Sequence, residues 1–282
     1  MSLKDIISTE GIIRIDSREN LSSALSKLST SHDAAFLFSD DGKYLGVINP
    51  YYCLIKSSYP SNAKVEYCVY NAPKIYINYS LSKVAGLFMQ SKVHYLPVFD
   101  EKDSFLGVVS ARRLLLKLRS MSIMRATIKE FLKHNKQKLV VIDDNETISK
   151  AIDIFKSTKL SKLIVINGGK KLKAILSYYD LIDYLIGPKN SKNMSFYHKK
   201  VKDFAKTFVL TLTEDDLLTD VIRLILEKKI GSVIIVDSMK HPIGITTTKD
   251  LLRFFIQKEQ RPFSNSQILG GFFNKKAFHS FF

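Results

Sequence analysis

The stretch PIGITTTKDLLRFF, Pro242 to Phe255, passes from an apolar run through three threonines into an apolar pattern at helical spacing. A strand hands over to a helix there, with a hydroxyl at Thr247 and a carboxylate at Asp250. Ser/Thr-x-x-acid ahead of an apolar run is a capping box, in which both side chains satisfy free backbone donors of the first turn. The same groups at a helix N-terminus also suit a phosphorylated ligand that carries a diol. One copy does not separate these readings.

Three further copies occur upstream: KYLGVINPYYCLI from Lys43, SFLGVVSARRLLL from Ser104 and KLKAILSYYDLID from Lys171. Aligned on the small residue (Gly46, Gly107, Ala174, Gly244), they recur about 60 to 70 residues apart. A β-rich run and a turn precede each one: DAAFLFSDD, VHYLPVFDE, SKLIVINGG and GSVIIVDSM. Further upstream of each lies an amphipathic helix pattern with N-cap candidates Asn20, Ser80, Thr147, and Asp215 or Asp216. A short strand comes before that helix, such as LVVID from Leu139 or FVLTL from Phe208. The unit is strand–helix–strand–strand–helix, and one unit is too small to close its own core, so adjacent units should pair through their sheets.

The four copies test the opening motif. The cap position holds Asn49, Ser110, Ser177 and Thr247, each competent as an N-cap, whereas the acid position holds Tyr52, Arg113, Asp180 and Asp250. All four helices start without needing an acid, and the reciprocal box prefers the longer Glu or Gln. The sequence therefore favours a ligand role for Asp180 and Asp250 over a pure capping role. A carboxylate is an acceptor-only group with two oxygens, suited to two adjacent hydroxyls such as those of a ribose.

The unit order together with G-h-h-[S/T]-x-x-D resembles the CBS domain, which works in tandem pairs called Bateman modules. The resemblance implies an α/β fold of four CBS repeats in two modules. Repeats are expected at 5–58, 62–119, 124–187 and 198–257, with a Phe-rich tail at 258–282. It also implies an adenosine nucleotide (AMP, ADP or ATP) or related adenosyl compound as regulatory ligand, with no metal required. By position, Thr247 and Asp250 would form one half-site and Ser177 and Asp180 the other, the Asp holding the ribose. Each cleft would be completed by the partner repeat: Lys138, Leu139, Ser161 and Lys162 for Asp250, and Thr207, Phe208, Gly231 and Ser232 for Asp180. Ordinary strand packing would account for the same eight residues. In the first pair, Asn49, Tyr52, Ser110 and Arg113 make a degenerate site, since Arg113 and Tyr52 replace the ribose acceptor. The Arg in the second repeat is similar to the γ-subunit of AMP-activated protein kinase, although that family keeps an Asp in its first repeat. Arg113 sits at a helix start, where a cation is unfavourable, so an acidic group or anion is expected beside it.

The chain has 282 residues, 45% of them hydrophobic, and 43 basic against 27 acidic residues give a net charge of +16. Such a surface attracts nucleotides, nucleic acid, anionic lipid or acidic proteins alike. A nucleic-acid-binding protein and a ligand-free scaffold thus remain alternatives to the nucleotide sensor. Cys53 and Cys68 are too few for a disulfide framework. No apolar run is long enough to span a bilayer and no signal-peptide plan opens the chain, so a cytoplasmic protein is expected. No phosphate loop, nucleophile elbow or zinc-binding spacing is present, so the expectation is a protein that is not an enzyme. GPKNSKNMSFYHKK from Gly187 is expected to be a mobile linker, and the tail FSNSQILGGFFNKKAFHSFF either to fold back on a groove or stay disordered, or to contact a regulated protein partner or a second copy.

Overall fold

Each copy of the repeat builds a three-stranded sheet in which the first strand runs parallel to the second and the third runs antiparallel to it. The computed structural model describes residues 2–28, 34–135, 139–186 and 191–259. Repeat 1 contains β1 (Arg14–Asp16), α1 (Leu21–Ser26), β2 (Ala35–Phe38) and β3 (Tyr44–Ile48), then a π-helical turn, Tyr51–Lys56. Repeat 2 contains β4 (Ile75–Tyr76), α2 (Leu81–Gln90), β5 (Tyr95–Phe99), β6 (Phe105–Ser110) and α3 (Ala111–Leu118). After α4 (Ile128–His134), repeat 3 follows with β7 (Val141–Asp143), α5 (Ile148–Thr158), β8 (Lys162–Ile166), β9 (Leu172–Ser177) and α6 (Ile182–Leu185). After α7 (Ser191–His198), repeat 4 closes the chain with β10 (Thr211–Leu212), α8 (Leu218–Glu227), β11 (Ser232–Val236), β12 (Pro242–Thr247) and α9 (Thr248–Glu259).

Local chemistry starts most of these helices as expected. The side chains of Asn20, Ser80 and Thr147 accept the amides of Ser23, Lys83 and Lys150, closing free donors of the first turn. At α8 neither Asp215 nor Asp216 is the cap. The N-cap is Leu217, and Asp216 instead closes a turn by accepting the Thr213 amide and hydroxyl at 2.7 and 2.9 Å. Asp220 takes the Leu217 amide at 3.3 Å, so this end is capped from within the helix.

The paired repeats are laced together by the segments that lead into them. The lead-in of repeat 2 bridges β3 of repeat 1 at Val47↔Tyr70, and that of repeat 1 bridges β6 of repeat 2 at Ser8↔Val108. The lead-in of repeat 4 bridges β9 of repeat 3 at Ile175↔Lys206. Repeat 3 reciprocates with α4, whose Leu132 lies against Gly244 of β12. The small residue shared by all four copies marks these crossings. A Cβ at Gly107 would sit 2.6 Å from the Ser8 carbonyl oxygen, and Gly107 has φ 148°. A recurrent pattern, Leu3-Lys4-Asp5-Ile6, Ile128-Lys129-Glu130-Phe131 and Val201-Lys202-Asp203-Phe204, builds these lead-ins, with Leu3, Ile128 and Val201 buried.

The sheet faces turned toward the partner repeat differ between the modules. In repeats 1 and 2 they are aromatic: Phe38 meets Phe105 edge-on at 5.1 Å and Tyr44 meets Phe99 at 5.4 Å. Between repeats 3 and 4 they are aliphatic, from Ile164, Ile234 and Val236. The modules then dock through helices. Phe88 of α2 and Leu114 and Leu118 of α3 share one core with Val221 of α8 and Leu251 and Phe254 of α9. Tyr51 and Ile55 of repeat 1 join the core of α5 around Ile148 and Phe155.

From residue 191 onward the segment is not the mobile linker expected from its composition, and residues 187–190 lie outside those described. Residues 191–198 are helical, and Phe196 is 3% exposed, its ring stacked on Tyr184 at 5.0 Å and edge-on to Phe204 at 5.3 Å. Polar residues around one well-placed aromatic masked an anchored helix. The expected role of the tail falls on residues beyond Glu259, outside those described.

The crossing at Gly107 predicts a cost for any side chain there. Gly107→Ala should lower unfolding free energy by about 1–3 kcal/mol, from the disfavoured backbone region and the contact with Ser8. Gly168→Ala, whose added Cβ meets nothing within 4 Å, should stay within about 0.5 kcal/mol of the parent in urea denaturation.

Candidate functional site

The helix starts of repeats 2, 3 and 4 converge on a cavity of about 520 Å³. Its lining includes Ser110–Arg112, Ser177–Asp180 and Thr247–Asp250, with Leu28 from repeat 1. The eight partner-repeat residues expected at the site differ in their fate. Ser161, Lys162 and Gly231 line the cavity, and Ser232 is buried beside it. Leu139 packs instead in the aliphatic seam between the sheets. Thr207 and Phe208 are on the surface, Phe208 being 85% exposed. Lys138 lies outside the described residues.

Asp180 and Asp250 both cap, contrary to the inference that the acid was dispensable for capping. Asp250 Oδ2 accepts the Thr247 amide at 3.0 Å and the Thr247 hydroxyl at 2.6 Å, while the Asp250 amide donates to Thr247 Oγ1 at 3.2 Å. Asp180 Oδ2 accepts the Ser177 amide at 2.8 Å, and the Ser177 hydroxyl donates to the Ser161 carbonyl at 3.0 Å. The second oxygen of each carboxylate carries a cation: Lys206 on Asp180 Oδ1 at 2.6 Å, and Arg253 on Asp250 Oδ1 at 3.0 Å. One side chain thus does two jobs with two oxygens, which comparing residue types across repeats cannot reveal.

Cations dominate this cavity. Lys92, Arg112, Lys159, Lys162, Lys206, Lys229, Lys249 and Arg253 line it, against the carboxylates of Asp180 and Asp250. Lys92 and Arg112 come from repeat 2, so the basic lining belongs to both modules. Lys159 and Lys229, each just past its helix (α5 and α8), hold left-handed backbone conformations at φ 57° and 53°, where glycine is the usual residue. Arg112 donates to the Lys229 carbonyl at 2.9 Å, and its buried Nε has no partner among the described residues. Burial lowers the Lys92 ammonium from its usual range, with Lys159 and Arg253 adding repulsion. Burial also brings Lys162 down to about 8; Asp180 opposes that shift, and Arg112 and Lys206 reinforce it. Sequence reading missed Lys92, Arg112, Lys206, Lys249 and Arg253. Their only signal is position, one or two residues from a cap or one helical turn beyond the acid.

The first pair is filled rather than open. Tyr52 stacks on Tyr70 at 3.6 Å with planes 11° apart, and its hydroxyl accepts the Lys92 amide at 3.2 Å. Asn49 Oδ1 caps its turn through the Tyr51 and Tyr52 amides at 3.0 and 3.4 Å. Ser110 Oγ accepts the Arg113 amide at 3.1 Å. The Arg113 guanidinium is exposed and donates to the Ile7 carbonyl at 3.2 Å, and no acidic side chain pairs with it among the described residues. Its partner is the lead-in of repeat 1, invisible to a search for compensating charge.

The CBS domain family model matches residues 65–120, 128–187 and 201–257, more than half of the sequence, and the chain belongs to that family. Among solved structures, protein MJ1225 from Methanocaldococcus jannaschii superposes with a TM-score of 0.78 at 17% identity, over 90% of this chain and 100% of that one. An uncharacterized conserved protein from Pyrococcus horikoshii gives 0.62 at 16% identity, over 90% and 99%. These likenesses concern the fold. The γ-3 subunit of 5′-AMP-activated protein kinase from Sus scrofa is 23% identical over 190 residues, 64% of this chain and 37% of that protein. The chain likewise spans 38% and 47% of two uncharacterized M. jannaschii relatives. Among the described residues, no helix is long and apolar enough to cross a membrane.

The double duty of Asp250 predicts a folding effect without any ligand. Asp250→Ala strands buried donors of the first turn and should lower unfolding free energy by about 1–3 kcal/mol. Asp250→Asn keeps an acceptor for the Thr247 amide and should recover more than half of that loss in urea denaturation.

Proposed function

We propose that the chain is a non-catalytic regulatory protein that binds an adenosine nucleotide, AMP, ADP or ATP, or a related adenosyl compound in the cleft of repeats 3 and 4. One observation carries this reading: two carboxylates, each with one oxygen fixed in a helix cap and the other held by an exchangeable cation, inside a cavity rich in further cations. A ribose diol can donate to the outward oxygen without breaking the cap. Lys206 and Arg253, released from the carboxylates, then turn to the phosphates. A ligand that brings hydroxyls and phosphates together replaces both halves of each ion pair. A cavity of this size lies within the range of about 300–1,000 Å³ typical of small-molecule sites. The kinship with a kinase subunit named for 5′-AMP supports the same class of ligand.

Regulation follows from linkage. The lining comes from both modules, so a bound nucleotide favours whichever arrangement of repeats 2, 3 and 4 fits it best. A regulated protein partner or a second copy of the chain would read that arrangement. The cavity also concentrates cations in a concave space closed to a duplex, which favours a small anion over the nucleic-acid reading.

Calorimetry on the full chain tests this proposal. Asp180→Asn and Asp250→Asn, which preserve cap acceptors, should each weaken AMP or ATP binding by tenfold or more, about 1.4 kcal/mol. Arg113→Ala should leave it unchanged. A hundredfold excess of ligand over its dissociation constant should stabilise the fold by about 2.7 kcal/mol. Full-strength binding in the double Asn variant would overturn the assignment of the cleft. RNA or DNA binding that falls steeply with salt, alongside a melting temperature unmoved by nucleotides, would favour the nucleic-acid reading.

A further inference from the structure

Two residues past each helix cap the four repeats alternate: Tyr51 after Asn49, Arg112 after Ser110, Tyr179 after Ser177 and Lys249 after Thr247. Arg112 is the second residue of α3 and Lys249 the second residue of α9. A cation in the first turn is opposed by the dipole of its own helix, so neither charge gains from the helix that carries it. Both reach into the other module. Arg112 Nη2 donates to the Lys229 carbonyl at 2.9 Å and to the Ile230 carbonyl at 3.5 Å, just past the end of α8. Lys249 Nζ donates to the Ser91 carbonyl, just past the end of α2. Carbonyls at the carboxyl end of a helix lack intrahelical partners and attract cations. Repeat 2 thus caps a helix of repeat 4, and repeat 4 caps the corresponding helix of repeat 2.

The tyrosines make the same exchange in apolar form. Tyr51 of repeat 1 is buried in the core of repeat 3 that holds Phe155, its ring 6.0 Å from that of Tyr178. Tyr179 of repeat 3 packs on the cluster that Leu54 of repeat 1 forms with Ile182. Repeat 1 therefore meets repeat 3, and repeat 2 meets repeat 4, each through the same helical position. Two modules built of alike repeats have a second way to dock, turned half round, with repeat 1 against 4 and repeat 2 against 3. In that docking Arg112 and Lys249 would each carry a charge to an apolar core. The ends of α2 and α8 would meet a tyrosine in place of a cation.

We infer that the residue two past the cap is the address by which the two modules recognise each other: tyrosine pairs repeat 1 with repeat 3, and a cation pairs repeat 2 with repeat 4. Discrimination comes as much from the cost of the wrong docking as from the bonds of the right one. Arg112 and Lys249 act here as positioning residues, whatever ligand the cavity takes. Their pairing is what brings Lys92 of repeat 2 and Arg253 of repeat 4 into one cavity. Arg113, the next residue along, turns instead to Ile7 within its own module. A positive charge at the start of α3 is therefore not sufficient; its position on the helix decides which module it serves.

Hydrogen exchange of the full chain, read by mass spectrometry, tests the crossed pattern. Arg112→Met keeps an unbranched chain but removes the donors, so amides of residues 224–230 in the other module should exchange about tenfold faster. Lys249→Met should do the same at residues 86–91 and leave 224–230 as in wild type. Arg113→Met should leave both segments unchanged, and Arg112→Lys, which still offers an ammonium, should keep most of the protection. A second arm exchanges the addresses. Tyr179→Lys with Lys249→Tyr sets like residues on repeats that do not meet and should lower the melting temperature. Adding Tyr51→Arg and Arg112→Tyr matches the facing repeats again and should recover at least about half of that loss. Faster exchange confined to α3 or α9 themselves, or an Arg113→Met variant that loosens 224–230 as much as Arg112→Met, would overturn the reciprocal capping. A fourfold variant no more stable than the twofold one would overturn the address.

Discussion

Reciprocal lacing between paired repeats is the constraint on which the rest of the structure depends. A three-stranded sheet with two short helices leaves one sheet face bare, and that face is buried only if a second unit arrives in one register. The lead-ins fix that register by crossing onto the partner's third strand, at Tyr70 on Val47, Ser8 on Val108 and Lys206 on Ile175. Gly46, Gly107 and Ala174 are small because backbone passes over them there, and Gly244 because Leu132 does. Once each pair is laced, the helix starts that follow the third strands of repeats 2, 3 and 4 point into one volume. The cavity is a product of topology before any side chain acts in it.

Electrostatics then divides the two modules. Where the acid position holds Asp, one carboxylate oxygen is tied into a cap and the other is paired with a cation, Lys206 or Arg253. Where it holds Tyr52, the ring occupies the position of the acid by stacking on Tyr70, and Phe38, Tyr44, Phe99 and Phe105 form an aromatic seam between the sheets. The contrast between aliphatic and aromatic seams runs parallel to the contrast between open and closed clefts.

Much of this was legible from the chain. Four hairpins in phase, each leading to a cap residue, gave the repeat and its strand order, because alternation and turn chemistry are local. The acids at Asp180 and Asp250 stood out for the same reason. What escaped was whatever depends on two distant segments meeting. The lead-in motif is too short to be distinguished from a charged turn without the β-strand it crosses. Arg113 and Arg112 are adjacent in sequence, yet one reaches the Ile7 carbonyl and the other the Lys229 carbonyl; only the docking of the modules decides which faces the cavity. Phe196 reads as a stray aromatic in a polar stretch until Tyr184 and Phe204 are placed around it.

The geometry of α9 carries a mechanical consequence. Its first turn holds Asp250, its middle packs Leu251 and Phe254 into the core shared with α2 and α3, and Lys258 near its end is paired with Glu130 of α4 at 3.0 Å. Twelve residues rise about 18 Å, so the helix behaves as a stiff lever pivoting on the intermodule core. A tilt of about 5° about that core, near the middle of the helix, moves each end by about 0.8 Å. Asp250 in the cavity and Lys258 against α4 thus sit on one rigid element, about a helix length apart.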